Sequence, residues 1–393
     1  MHYNFDEVIN RERTGSVKYD LRKRIFGDEK VIPLWVADMD FRTPDFIVGA
    51  IQKRLEHEIL GYTVIPPSFY QSVADWNKRR HNWMIKSEWI SFSPGVVPAL
   101  NLLVMAFTRP GDGIIIQPPV YFPFFTAVEN HGRRLIANPL RYEQGRYEMD
   151  FGDLESKIDK STRMLILCSP HNPTGNVWSP DVLRRIGEIC IRNNMLLVSD
   201  EIHSDLIFTG FRHTPAASIS EDLARITITC MSPSKTFNLA GLSTAYLIIP
   251  DARLREKYEI LLDHVHVGSG NIFGFIAAEA AYNKGEEWLK QLLSYLEGNL
   301  VFLQDFLAKH LPIIRVVPPE ATYLTWLDCS KLGMSSASLR SFMIQEAGLG
   351  LNDGPQFGKE GEGFQRINIA CPRRILYEAL VKMHAAVKNY FAK

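Results

Sequence analysis

The chain has no cysteine pair at metal-binding or redox spacing, no excess of either charge and no apolar run long enough to cross a bilayer. Each absence excludes a class of function. The five cysteines, Cys168, Cys190, Cys230, Cys329 and Cys371, are odd in number and include no CxxC, so neither a disulfide framework nor a metal site is expected. Lys plus Arg and Asp plus Glu are both 44, which leaves no basic footprint for nucleic acid or an anionic membrane. No stretch approaches the about 20 apolar residues of a transmembrane helix. The opening residues, Met1-His-Tyr-Asn-Phe-Asp-Glu7, lack the apolar core of a secretory leader. The cytoplasm is therefore the expected location. No internal repeat or low-complexity tract is present.

A length of 393 residues is too great for one small core, and two domains are expected. Short apolar runs recur at 89–93, 113–117, 164–168, 195–199, 226–230 and 244–249, with helical stretches between them. This alternation predicts an α/β fold with a mostly parallel mixed sheet flanked by helices. Helices are expected over 44–60, 68–80, 96–107 and 180–194. Beyond about 285 the pattern changes to a long amphipathic helix at 286–310, runs at 313–317, 323–327 and 366–370, helix 336–347 and a last helix at 373–391. That reads as a smaller α+β C-terminal domain. The expected division is 1–45 for an N-terminal arm and substrate-facing loop, 46–285 for the large domain and 286–393 for the small one. Six glycines between Gly348 and Gly363 predict a mobile loop before Arg366.

In such sheets ligands bind beyond the carboxyl ends of the strands. Lys235 falls there, between Ser232 and Ser234 on one side and Phe237 and Leu239 on the other. A lysine held partly dry has a lowered pKa and can condense with an aldehyde, and pyridoxal 5'-phosphate is the common aldehyde cofactor. Other strand ends supply the other needs of that cofactor. Asp200 offers a carboxylate for a pyridinium nitrogen, Tyr121 an aromatic face and Asn172 a donor for the phenolic oxygen. Gly95, Val96 and Val97 open a helix whose N-terminus suits a phosphate, with Ser232 and Ser234 beside it. Arg366 can fork onto an α-carboxylate.

Three motifs, Ser169-Pro-His-Asn-Pro-Thr-Gly175, Ser199-Asp-Glu-Ile-His203 and Ser232-Pro-Ser-Lys-Thr-Phe237, resemble the class I/II aminotransferase family of fold-type I pyridoxal-phosphate enzymes. Leu34-Trp-Val-Ala-Asp-Met-Asp-Phe41, Ser93-Pro-Gly-Val-Val97 and the flank Asn238-Leu-Ala-Gly-Leu242 are most similar to its MalY/PatB branch, which contains cystathionine β-lyases and other carbon–sulfur lyases. The resemblance implies Lys235 as the lysine that bonds the cofactor and Tyr62 as a residue reaching the neighbouring subunit's phosphate in a homodimer. It also implies that Arg366 and the Trp35–Val36–Ala37 loop hold an amino-acid substrate. Two positions depart from the aminotransferase pattern. Ser243 stands where many members have an arginine, eight residues after the lysine, and His203 where many have a tyrosine, three after the aspartate. His203 fits the lyase branch. The expected reaction is β-elimination from L-cystathionine or a related cysteine conjugate, giving a thiol, pyruvate and ammonia. The alternatives are an aminotransferase and a cofactor-binding regulator of another protein.

Overall fold

Seven strands form one mixed sheet in the computed structural model, which describes residues 2–392. They are β1 (Ile90–Ser93), β2 (Gly113–Ile116), β3 (Arg134–Ala137), β4 (Thr162–Cys168), β5 (Leu196–Asp200), β6 (Thr227–Met231) and β7 (Ala245–Ile248). Their order across the sheet is β1-β7-β6-β5-β4-β2-β3. Pairing is parallel from β6 to β3, and β7 alone runs against its neighbours.

Apart from the edge strand β3, these strands are buried at almost every position because both faces are covered. Alternate side chains go to opposite faces. Ile114, Ile116, Met164, Ile166 and Val198 pack with helix Val96–Phe107 and with Tyr258 and Leu262. Ile115, Leu165, Leu167 and Leu197 pack against Leu183, Ile186 and Ile189 of helix Pro180–Arg192 on the other side. A third apolar body joins helices Pro67–His81 and Ile272–Lys284 to the long helix Glu286–His310 and the final helix Arg373–Ala392.

The C-terminal region carries a four-stranded sheet ordered Arg315–Val316, Leu324–Asp328, Phe364–Asn368, Asn352–Asp353, with every pairing antiparallel. The strap at 31–41 belongs with this part of the molecule. Its Ile32–Pro33 pairs in parallel with Leu349–Gly350. Arg11 reaches Asp38 at 2.6 Å and Asp40 at 2.6 Å, and the fully buried Lys18 reaches Asp40 at 2.7 Å.

Two local expectations differ from what is observed. The helix expected over 44–60 spans Asp45–Leu55, and residues 58–66 have no regular structure. The glycine-rich stretch before Arg366 is folded into short strands and tight turns rather than left loose. Gly354 and Gly361 cross so closely that a Cβ on Gly361 would lie 2.0 Å from the Gly354 carbonyl oxygen.

Candidate active site

A cavity of about 190 Å³ opens at the carboxyl ends of the strands. Gly95, Val96, Val97, Tyr121 and Asn172 line one part of it, and Asp200, His203, Ser232, Ser234 and Lys235 another. Ala37 of the strap closes a further side. Each side chain is delivered by local chain logic. Gly95 is the N-cap of helix Val96–Phe107, so the first N–H groups of that helix have no carbonyl one turn behind them. Ser232 caps the short helix Pro233–Thr236, accepting from the Ser234 N–H at 3.1 Å and donating to the Thr244 carbonyl at 2.8 Å. That turn aims Lys235 across the cavity.

The Lys235 ammonium donates to the Ala37 carbonyl at 2.8 Å. Burial lowers its pKa to about 8, with Arg366 adding to the effect and Asp38 and Asp200 opposing it. Asp200, 4% exposed, accepts from the Ile202 N–H at 3.2 Å and forms no ion pair among the described residues. Burial raises its pKa to about 7. His203 is held neutral, its pKa pushed down to about 3 by burial and then by Lys235 and Arg366, and its Nδ1 has no hydrogen-bond partner among the described residues. Burial also raises the Tyr121 hydroxyl, which stays protonated.

Arg366 stands just behind this cavity, in the middle of strand Phe364–Asn368. It donates to Asn172 Oδ1 at 3.0 Å, to the Trp35 carbonyl at 2.8 Å and to Asn352 Oδ1 at 2.6 Å. None of these partners is a carboxylate. Burial lowers the guanidinium to about 10, so it stays charged at neutral pH, and it forms no ion pair with a carboxylate among the described residues. Trp35 and Val36 adjoin the site through their carbonyls rather than their side chains: the Val36 carbonyl takes a hydrogen bond from Asn368 at 2.7 Å. Tyr62 is the outlier. It is fully exposed, far from any packing within its own chain.

Several residues at the site escaped sequence reasoning. Asn352 orients Arg366, Asn238 donates to the Met39 carbonyl at 2.9 Å, and Tyr323 donates to the Ala37 carbonyl at 3.0 Å. Asn238 lies in the quoted flank of Lys235, but its contact with the strap is not written there, and no local pattern marks Asn352 or Tyr323. Their importance comes from contacts with residues remote in the chain.

A family model for aminotransferase class I and II matches residues 29–382. The chain belongs to the aminotransferase class I and II family. Among members of this family, it is 45% identical to cystathionine beta-lyase PatB of Bacillus subtilis, over 98% of this chain and 100% of that one. The structure of cystalysin from Treponema denticola, which contains a pyridoxal 5'-phosphate cofactor, superposes with a TM-score of 0.97 at 39% identity, over 99% of this chain and 100% of that one. The pyridoxal-phosphate-bound C-S lyase from Staphylococcus hominis gives 0.92 at 38% identity, over 98% of both chains.

Proposed function

We propose that this chain is a pyridoxal 5'-phosphate-dependent carbon–sulfur β-lyase that cleaves L-cystathionine, or a related cysteine S-conjugate, to a thiol, pyruvate and ammonia. One observation carries the proposal. A half-buried amine of lowered pKa and a buried carboxylate with no ion-pair partner among the described residues face one cavity, in a chain 45% identical along its length to a cystathionine beta-lyase.

The residues present fit the cofactor. A protonated ring nitrogen would give Asp200 the cation it lacks. Asn172 uses its Oδ1 for Arg366, which leaves its amide N–H groups for the phenolic oxygen. Tyr121 would lie against the ring, and His203 would stay neutral near it. The N-terminus of helix Val96–Phe107, with the hydroxyls of Ser232 and Ser234, would hold the phosphate. When bound, the cofactor supplies an aldehyde that captures an amine and a protonated ring that accepts the electron pair left at Cα.

The chain's own groups do the rest. Arg366, charged and without a carboxylate partner among the described residues, would clamp the substrate α-carboxylate. The Trp35–Ala37 strap would shield the substrate from water. Lys235, with its pKa lowered to about 8, has an accessible neutral form and would take the Cα proton as general base. A thiolate leaves with little acid assistance, and the protonated Tyr121 or the newly charged Lys235 would supply what is needed. Ser243, at the position where an arginine would add fixed charge at the phosphate, lines the same cavity and argues against efficient amino transfer.

Tyr62 would reach a neighbouring subunit's phosphate, making the site a property of a homodimer. All five cysteines are free and buried, which supports a reducing compartment and hence the cytoplasm. No helix among the described residues is long and apolar enough to cross a membrane. The assay that tests the proposal is incubation with L-cystathionine, with and without a keto acid. Pyruvate release independent of the keto acid is expected. Amino transfer to the keto acid without pyruvate would instead establish an aminotransferase.

A further inference from the structure

Five consecutive carbonyls of the strap are each held by a side chain from elsewhere in the fold. Trp35 takes Arg366, Val36 and Asp38 both take the Asn368 amide, and Met39 takes Asn238. The Ala37 carbonyl, between them, accepts from two donors: Lys235 Nζ at 2.8 Å and the Tyr323 hydroxyl at 3.0 Å. Ala37 is the one among the five whose donor must leave for the reaction to begin. Condensation of Lys235 with an aldehyde forms a C=N bond. The aldehyde oxygen would leave as water with two of the ammonium's three protons, and the one N–H left would lie in the plane of the C=N bond, directed at the cofactor and away from Ala37.

Tyr323 is fully buried just before strand Leu324–Asp328, and its ring meets the edge of His203 at 6.2 Å between centroids. Burial keeps its hydroxyl protonated, so it remains a donor across the working pH range. It does not take part in the proton transfers described above. Its hydroxyl is the donor to Ala37 that does not depend on the state of the lysine.

We propose that Tyr323 is a positioning residue whose hydroxyl keeps the Ala37 carbonyl satisfied and the strap in place when Lys235 leaves that carbonyl to bond the cofactor. The inference rests on the role of Lys235 given above. Its consequence is asymmetric. In a Tyr323→Phe chain without cofactor, Ala37 still has Lys235. In the same chain with Lys235 bonded, Ala37 has no partner. The loss therefore falls on the covalently loaded form alone.

The test is equilibrium titration of the cofactor-free full chain with pyridoxal 5'-phosphate and, separately, with pyridoxamine 5'-phosphate. The second compound has no aldehyde and leaves Lys235 on Ala37. Tyr323→Phe is expected to weaken pyridoxal phosphate binding about threefold to tenfold, the worth of one net hydrogen bond, and to leave pyridoxamine phosphate binding unchanged. In a Lys235→Ala background, Tyr323→Phe leaves Ala37 without either donor whether or not cofactor is bound, so the added change is expected to lower stability and leave cofactor affinity unaltered. Equal weakening toward both compounds would overturn the proposal by making Tyr323 a general structural support. No weakening toward either would overturn it as well. Should Lys235→Ala alone bind pyridoxal phosphate with the wild-type affinity and absorbance, the role of Lys235 itself falls, and this inference falls with it.

Discussion

Asp200 and Lys235 are opposed in charge, and burial works against the ionised form of each. For Asp200 the folded-state pKa of about 7 lies above the ordinary 3.8. The stability linked to its protonated form is fully present below 3.8 and is lost as pH rises through about 7. The cofactor-free chain thus carries a destabilising carboxylate at neutral pH, which a bound ring nitrogen would relieve. Asp200→Asn is expected to make the cofactor-free protein more stable than wild type by about 2–4 kcal/mol at pH 8, with the difference closing near pH 4. Thermal or denaturant unfolding across that range measures it. In the loaded enzyme the same change is expected to lower kcat about 100-fold, because the ring loses the charge that supports it. Asp200, Lys235, Asn172, Tyr121 and Arg366 could all be picked out from the sequence, since each of the first four follows a short apolar run. Tyr323 and Asn352 could not, and Asn238 stood out as part of the Lys235 flank without its contact to the strap. Each acts through a partner in another part of the chain, and nothing in its own neighbourhood records that partner.

At the level of elements, the strands with a strong β-branched or aliphatic signature were legible, and those without were not. Strand β3, Arg-Leu-Ile-Ala, is half exposed at the sheet edge and has too little apolar character to stand out. Helix Ile272–Lys284 is apolar on nearly all sides because it is buried among other helices, so it shows no amphipathic period. The glycine-rich stretch before Arg366 looked loose, yet its glycines permit backbones to cross. Gly361→Ala would place a Cβ 2.0 Å from the Gly354 carbonyl oxygen, and neither backbone can yield without moving the turn. A loss of about 3 kcal/mol or more is expected, read as a lowered Tm. Because Asn352, adjacent to that turn, orients Arg366, the KM for the amino-acid substrate is expected to rise as well.

On the scale of the whole molecule, the exposed apolar run of Ile59, Leu60, Tyr62 and Val64 sits on a segment with no regular structure of its own. In the proposed homodimer a second copy would cover it, and Tyr62, which does not line the Lys235 cavity of its own chain, would complete the partner's site. Complementation reads this directly. Lys235→Ala and Tyr62→Ala chains, each nearly inactive alone, are expected to recover about a quarter of wild-type activity when mixed and re-equilibrated, because a two-fold heterodimer contains one intact site. Sedimentation of the wild-type protein should show the dimer on which this depends. The activity changes expected above follow from β-elimination in the cavity around Lys235, and product analysis with L-cystathionine tests that reaction most directly. Wild-type protein is expected to release pyruvate and thiol in equal amounts without any keto acid, and Lys235→Ala to release neither. Undiminished pyruvate from Lys235→Ala, or no pyruvate from the wild type in the presence of bound cofactor, would contradict the account.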